Sequence, residues 1–148
     1  MLSLRSLAGR TALLGVLGRA AMAQQCLSFG MDFQNGGSYF QNSLSDDPFT
    51  FVSQFDHCQD DVATNILVDP NGDEYVCTDT PLQPDDTDQM SECPLAKNEL
   101  WSGDWSVIIL SNNGNGDPIA YERDFHLDVG PQATTTVSSN LNNRLSLC

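Results

Sequence analysis

The sequence predicts an all-β fold: an antiparallel immunoglobulin-like β-sandwich, stabilised by disulfides, with a jelly roll as the alternative. Three observations point there. Apolar residues alternate in short runs, clusters of Gly, Asn, Pro and Asp separate those runs, and no segment has the length of a full amphipathic helix.

A leader precedes the fold. Residues 1–23 carry Arg5 and Arg10, the apolar run Thr11–Leu17 and the small-x-small triplet Ala21-Met-Ala23. That is the layout of a secretory signal peptide. The run is shorter than the ~20 apolar residues of a membrane span. A mitochondrial transit peptide would share the arginines and the lack of acids. Five cysteines in a small, acidic, turn-rich chain fit an oxidising compartment better. The mature chain is expected to begin near Gln24 and to be secreted, to the extracellular space or the cell wall.

Charge narrows the partners. The chain carries −14, and losing Arg5, Arg10 and Arg19 with the leader takes it to −17. So acidic a surface repels nucleic-acid phosphate and anionic lipid, which excludes nucleic-acid binding. Solubility alone accounts for the charge; attraction to cations or basic surfaces is the sharper reading. No later segment approaches membrane-spanning length, and no hydrophobic tail marks a lipid anchor.

The domain is expected over 24–130, in this order. Leu27, Phe29, Met31 and Phe33 alternate with Ser28, Gly30 and Asp32, which reads as a half-buried strand. Asn35-Gly-Gly37 turns the chain. Phe49, Phe51 and Phe55 share one face of a second strand. Ile66–Val68 and Glu74–Cys77 flank Asp69-Pro-Asn-Gly72, a β-hairpin with its tight reversal. Residues 78–104 read as loop, with single helical turns near Asp85 or Asp86 and over Leu95–Leu100. Trp105–Leu110 is apolar on both faces from Val107 onward, as in the central strand of a sandwich. After the turn 111–117, Tyr121, Phe125, Leu127 and Val129 alternate with Glu122, Asp124, His126 and Asp128. Arg123 falls on the apolar face, so it is expected near an edge or beside a carboxylate. Residues 131–148 are a Thr/Ser/Asn-rich tail without periodicity, the start of a disordered stalk.

Cys26, Cys58, Cys77 and Cys93 form an even set that permits three pairings. Cys77 with Cys93, closing the acidic loop, and Cys26 with Cys58 are favoured. Closing a loop of about 15 residues contributes roughly 3 kcal/mol in the chain-entropy account. Zinc would want Cys-x-x-Cys spacing, which is absent. Cys148 is left for an interchain bond, giving a dimer, or for a free thiol.

Asp69, Asn71 and Asp73 alternate as calcium ligands do, but Glu74 and Thr80 stand where an EF-hand loop needs Gly and Glu. The hairpin turn is the stronger reading. Asp85, Asp86 and Asp88 are weaker calcium candidates, and a solvated loop is their ordinary state. No cofactor is expected. Gln24, not histidine, begins the mature chain, against a copper site built on an N-terminal histidine as in secreted polysaccharide oxygenases. His57 and His126 leave a Ser/His/Asp hydrolase formally open, but no Gly-x-Ser-x-Gly elbow accompanies them. Catalytic residues are therefore not assigned. Trp101, in the loop before the central strand, and Tyr39 are the candidate ligand-contacting aromatics.

Two stretches carry a resemblance: Leu67–Cys77 with its Pro-Asp-Asp-Thr-Asp and Cys-Pro continuation, and Trp101–Ile109 through Gly130–Thr136. Together they resemble the N-terminal β-domain of uncharacterised secreted proteins from filamentous fungi, where a Thr/Pro-rich stalk follows. The resemblance implies an extracellular or cell-wall setting and brings no catalytic residues. The functional expectation is a secreted, acidic, non-catalytic surface or binding module for a cell-wall glycan or a protein. The rival expectation is a small secreted effector or carboxylate-based hydrolase, which needs two acids facing each other across a cleft.

Overall fold

The computed structural model describes residues 24–133; the leader, most of the tail and Cys148 lie outside the described residues. Nine strands form in chain order: β1 (Leu27–Gly30), β2 (Ser38–Asn42), β3 (Pro48–Asp56), β4 (Val62–Val68), β5 (Glu74–Val76), β6 (Thr80–Pro81), β7 (Gln89–Ala96), β8 (Gly103–Ser111) and β9 (Ile119–Gly130). One sheet has the order β1-β3-β7. The larger has the order β2-β9-β8-β4-β5, with β6 beside β4. The two sheets pack as the predicted β-sandwich.

Strand alternation accounts for most of this. Phe49, Phe51 and Phe55 of β3 are buried while Thr50, Val52 and Gln54 are not. In β9, Phe125 and Leu127 turn inward and Glu122, Asp124 and Asp128 outward. The hairpin of β4 and β5 pairs Leu67 with Tyr75 around Gly72, whose φ of +87° suits glycine. Cys26 is bonded to Cys58, and Cys77 to Cys93. The first bridge ties the start of β1 to the end of β3 within one sheet. The second joins β5 of the larger sheet to β7 of the smaller.

Four expectations need correction. The 78–104 loop contains β7. Its inward positions are Ser91 and Cys93, while Met90, Glu92 and Pro94 face out, so no hydrophobic alternation marks it. Pro94 is tolerated because β7 is a sheet edge. Near Asp85 and Asp86 there is a turn and no helix; the only helical residues described are Lys97–Glu99, a short 3₁₀ turn. The pairing is not wholly antiparallel, because β2 runs parallel to β9. The first strand ends at Gly30, where an Asp32 carboxylate oxygen accepts the Val52 N–H at 2.9 Å and the Phe33 N–H at 2.8 Å. Phe29 and Met31, expected to face the core, are 47% and 44% exposed. Register explains it: Phe29 lies opposite Gln54 on the outer side, and Ser28 opposite the buried Phe55.

A polar belt crosses the interior. Ser53 on β3, Asn65 on β4, Ser91 on β7 and Arg123 on β9 are all buried. On one side lie Phe33, Phe49, Phe51, Leu67, Trp105, Phe125 and Leu127 with the Cys77–Cys93 bridge. On the other lie Phe55, Leu82, Ile109 and Ile119 with the Cys26–Cys58 bridge. Burying polar groups this way requires partners. Asn65 Nδ2 donates to the Thr78 carbonyl and the Thr80 hydroxyl, Ser91 donates to the same carbonyl, and Arg123 Nη2 donates to the Ser53 hydroxyl at 2.8 Å.

Candidate functional site

The outer face of the larger sheet divides by chemistry. Strand alternation puts Thr64, Ile66 and Val68 of β4 and Ile108 and Leu110 of β8 on the side away from the core. Ile66 is paired with Val76 on β5 and with Ile108 on β8; Leu110 lies between Thr64 and Ala120. These residues make one continuous aliphatic area, with Val76 66% exposed and Val62 and Leu110 also exposed. Around it stand Glu74, Asp124 and Glu122, each beside an aliphatic position or in the next row. The two-sided apolarity of β4 and β8 marks them as central strands. Yet among the described residues nothing covers the outer side of that face.

The aromatic candidates are not free platforms. Trp101 is 37% exposed but leans on Trp105, ring centroids 4.9 Å apart. The Trp101 carbonyl accepts the Trp105 indole N–H at 3.0 Å. Tyr39 is half-buried against Phe33 and Phe125, and its hydroxyl accepts the Gln34 N–H. The two rings have separate partners and do not form one surface.

In the acidic turns, Asp69 is satisfied from within. Asp69 is buried, with Oδ1 accepting the Asn71 and Asp73 N–H groups and Oδ2 the Tyr75 hydroxyl. Burial works against its charge, but these hydrogen bonds outweigh it and hold the carboxyl below the ordinary value. Asp69 organises the hairpin and has little left for a cation, while Asn71 and Asp73 are exposed. Asp85, Asp86 and Asp88 are exposed too, Asp88 accepting a hydrogen bond from Gln54 at 2.7 Å. Among the described residues no three His, Cys, Asp or Glu side chains are placed to hold a metal ion.

His126 lies on the acidic part of the face between two carboxylates. Nδ1 is 2.8 Å from Asp104 and Nε2 3.4 Å from Asp128. The Asp104 hydrogen bond raises its pKa, desolvation opposes the rise, and Asp128 adds to it. With both nitrogens directed at acids, this ring is a clasp between β8 and β9; no hydroxyl nucleophile is among its partners. His57, outside the core, pairs with the neighbouring Asp56 at 3.0 Å.

Sequence reading did not foresee a groove of about 540 Å³ beside β1. It runs between β1 and the half of β9 that β2, paired only with residues 126–130, leaves open. Its lining includes Ser28, Phe29, Met31, Tyr121, Arg123 and the acidic Glu122. Burial pushes the Arg123 guanidinium down from its ordinary value, and Asp32 partly offsets this from beyond ion-pair distance. The misplaced cation on the apolar face of β9 was the signal available in the sequence.

No family model matches the chain, and no curated protein matches it. Among solved structures, the crystal structure of CopC from Methylosinus trichosporium OB3b aligns with a TM-score of 0.49 at 14% identity, covering 72% of this chain and 99% of that one.

Proposed function

We propose that the chain is a secreted, non-catalytic binding module that uses the aliphatic half of its larger sheet to hold a protein partner with apolar contacts and a basic rim. The uncovered aliphatic face carries the reading, because apolar patches of this kind mark interaction surfaces. Two disulfides in a small domain support the oxidising compartment that the leader implies. Charge complementarity selects the partner. A second copy would set Glu74, Glu122 and Asp124 against themselves, whereas lysines or arginines would find acids around the aliphatic area. A glycan is the weaker occupant, because sugars stack on aromatic rings and this half of the face has none. The exposed Phe40 lies across the sheet on β2, beside Asp128.

The test is capture from native culture medium by the wild type and by a Val76→Thr/Leu110→Thr variant. Threonine keeps the strand while removing apolar surface. The expected result is a protein held by the wild type, released by salt and lost with the variant. A glycan-array signal that both proteins retain would move the binding site elsewhere. A wild-type dimer that the variant abolishes would make the occupant a second copy.

A further inference from the structure

We propose a second site: the groove beside β1 takes a small monocarboxylate with an apolar body, its carboxylate paired with Arg123. Four buried side-chain polar atoms lack a hydrogen-bond partner among the described residues: Ser28 Oγ, Asn65 Oδ1 and Arg123 Nε and Nη1. Three of the four belong to residues lining this one groove. Buried donors without acceptors are rare and costly, so their convergence points to a missing acceptor.

The charge distribution sharpens the point. Lys97 and Arg123 are the only lysine or arginine among the described residues, and all 20 acids of the chain lie in the same region. Arg123 is 6% exposed, and its one hydrogen bond goes to the neutral Ser53 hydroxyl. With so many carboxylates to hand, none forms an ion pair with it. A guanidinium matches a carboxylate in geometry as well as charge.

A carboxylate reaches Arg123 only if β1 gives way at Gly30, where a Cβ would clash with the Phe33 carbonyl oxygen and come 2.8 Å from Arg123 Nε, so that the bare strand lies directly over the guanidinium. The strand carrying Gly30 is four residues long and paired on one side only, to β3. Phe29, Met31 and Tyr121 supply apolar walls, and Ser28 a further hydroxyl. The volume is that of a small-molecule pocket. The acidic surface disfavours polyanions at long range, whereas a single carboxylate pays that repulsion once and gains a poorly solvated cation. An aromatic or aliphatic monoacid fits this combination.

The experiment follows the Arg123 Nε–H resonance of the ¹⁵N-labelled full chain during titration with 2-naphthoate and, separately, with neutral 2-naphthamide. Naphthoate is expected to shift the resonance saturably and to bind about tenfold or more tightly than the amide, the share of one charge-assisted hydrogen bond. Arg123→Met should erase that preference. Should the variant not fold, Phe29→Ala/Met31→Ala, at exposed positions, is expected to weaken both ligands alike and keep the preference. Equal affinity for acid and amide, or an unmoved resonance at millimolar naphthoate, overturns the proposal and leaves ordered water as the partner of these donors.

Discussion

On one side of the polar belt four phenylalanines and Trp105 fill the space between the sheets, and the bridge there, Cys77–Cys93, joins one sheet to the other. On the other side Phe55 is the only buried phenylalanine, and the bridge, Cys26–Cys58, ties two neighbouring strands of one sheet. The first half is held by large rings in mutual contact, Phe33 touching Tyr39, Phe49 and Phe125 at centroid distances of 4.9–5.0 Å. The second half relies more on covalent closure, and it borders the groove. The ring-filled half and the half beside the groove are thus different parts of one interior, with the polar belt between them.

The largest test of that contrast is Trp105→Ala. Removing a fully buried indole at the centre of the aromatic half should cost about 3–5 kcal/mol in denaturant unfolding. Leu82→Ala, across the belt, should cost less. Equal losses would mean that the two clusters behave as one core and that the belt divides nothing.

Next in size is the paired replacement Cys26→Ser/Cys58→Ser. The bridge closes a segment of 32 residues, which the chain-entropy account values at roughly 3–4 kcal/mol. Because β1 pairs with β3 alone, its amides should lose hydrogen-exchange protection while those of β8 keep theirs. Uniform loss in both strands would remove the distinction between a packed half and a stapled half.

Arg123→Met probes the belt itself and should move stability the other way. Methionine removes a desolvated charge without leaving an acid unpaired, although the Ser53 hydroxyl loses its donor. The net expectation is a gain of about 1 kcal/mol. A loss of that size would mean that the guanidinium is already satisfied inside the protein.

The two halves were not equally legible in the sequence. Phe49, Phe51, Phe55, Trp105 and the alternation of β9 disclosed the aromatic half, because large apolar residues at period two admit one reading. Ser91 and Cys93 hid β7, since its inward positions are small and polar and its outward Met90 inverts the pattern. Ser38–Asn42 carried too few apolar residues to announce β2, and parallel pairing to a distant β9 leaves no local turn signal. The belt was illegible for a related reason. A buried Ser or Asn looks like a solvated one until the strand opposite it is known. Only Arg123 broke its pattern visibly, and its destination depended on where β1 and β2 ended. For the aliphatic face, Val107–Leu110 did signal apolarity on both sides, but not that one side stays bare.

The smallest effect expected belongs to His126, which clasps the aromatic half from outside by joining Asp104 of β8 to Asp128 of β9. Its pKa is raised on folding by the Asp104 hydrogen bond first. The sign follows from linkage: a group that holds its proton more tightly when folded stabilises most below its unfolded value, near 6.5, and loses that contribution as pH rises through the folded value. Asp61 and Asp69 act oppositely. Their lowered pKa values contribute above the ordinary carboxylate range, and that contribution fades only in acid. Between pH 6 and pH 8 the contribution of Asp61 and Asp69 is therefore constant and that of His126 changes. The melting temperature of the wild type should fall slightly over that interval, and that of His126→Gln should stay level. Hydrogen exchange should locate the change at residues 104–106 and 124–128, outside the aromatic half. A shift that instead reaches β1 and the Cys26–Cys58 region would show that the two halves respond to protons as one body.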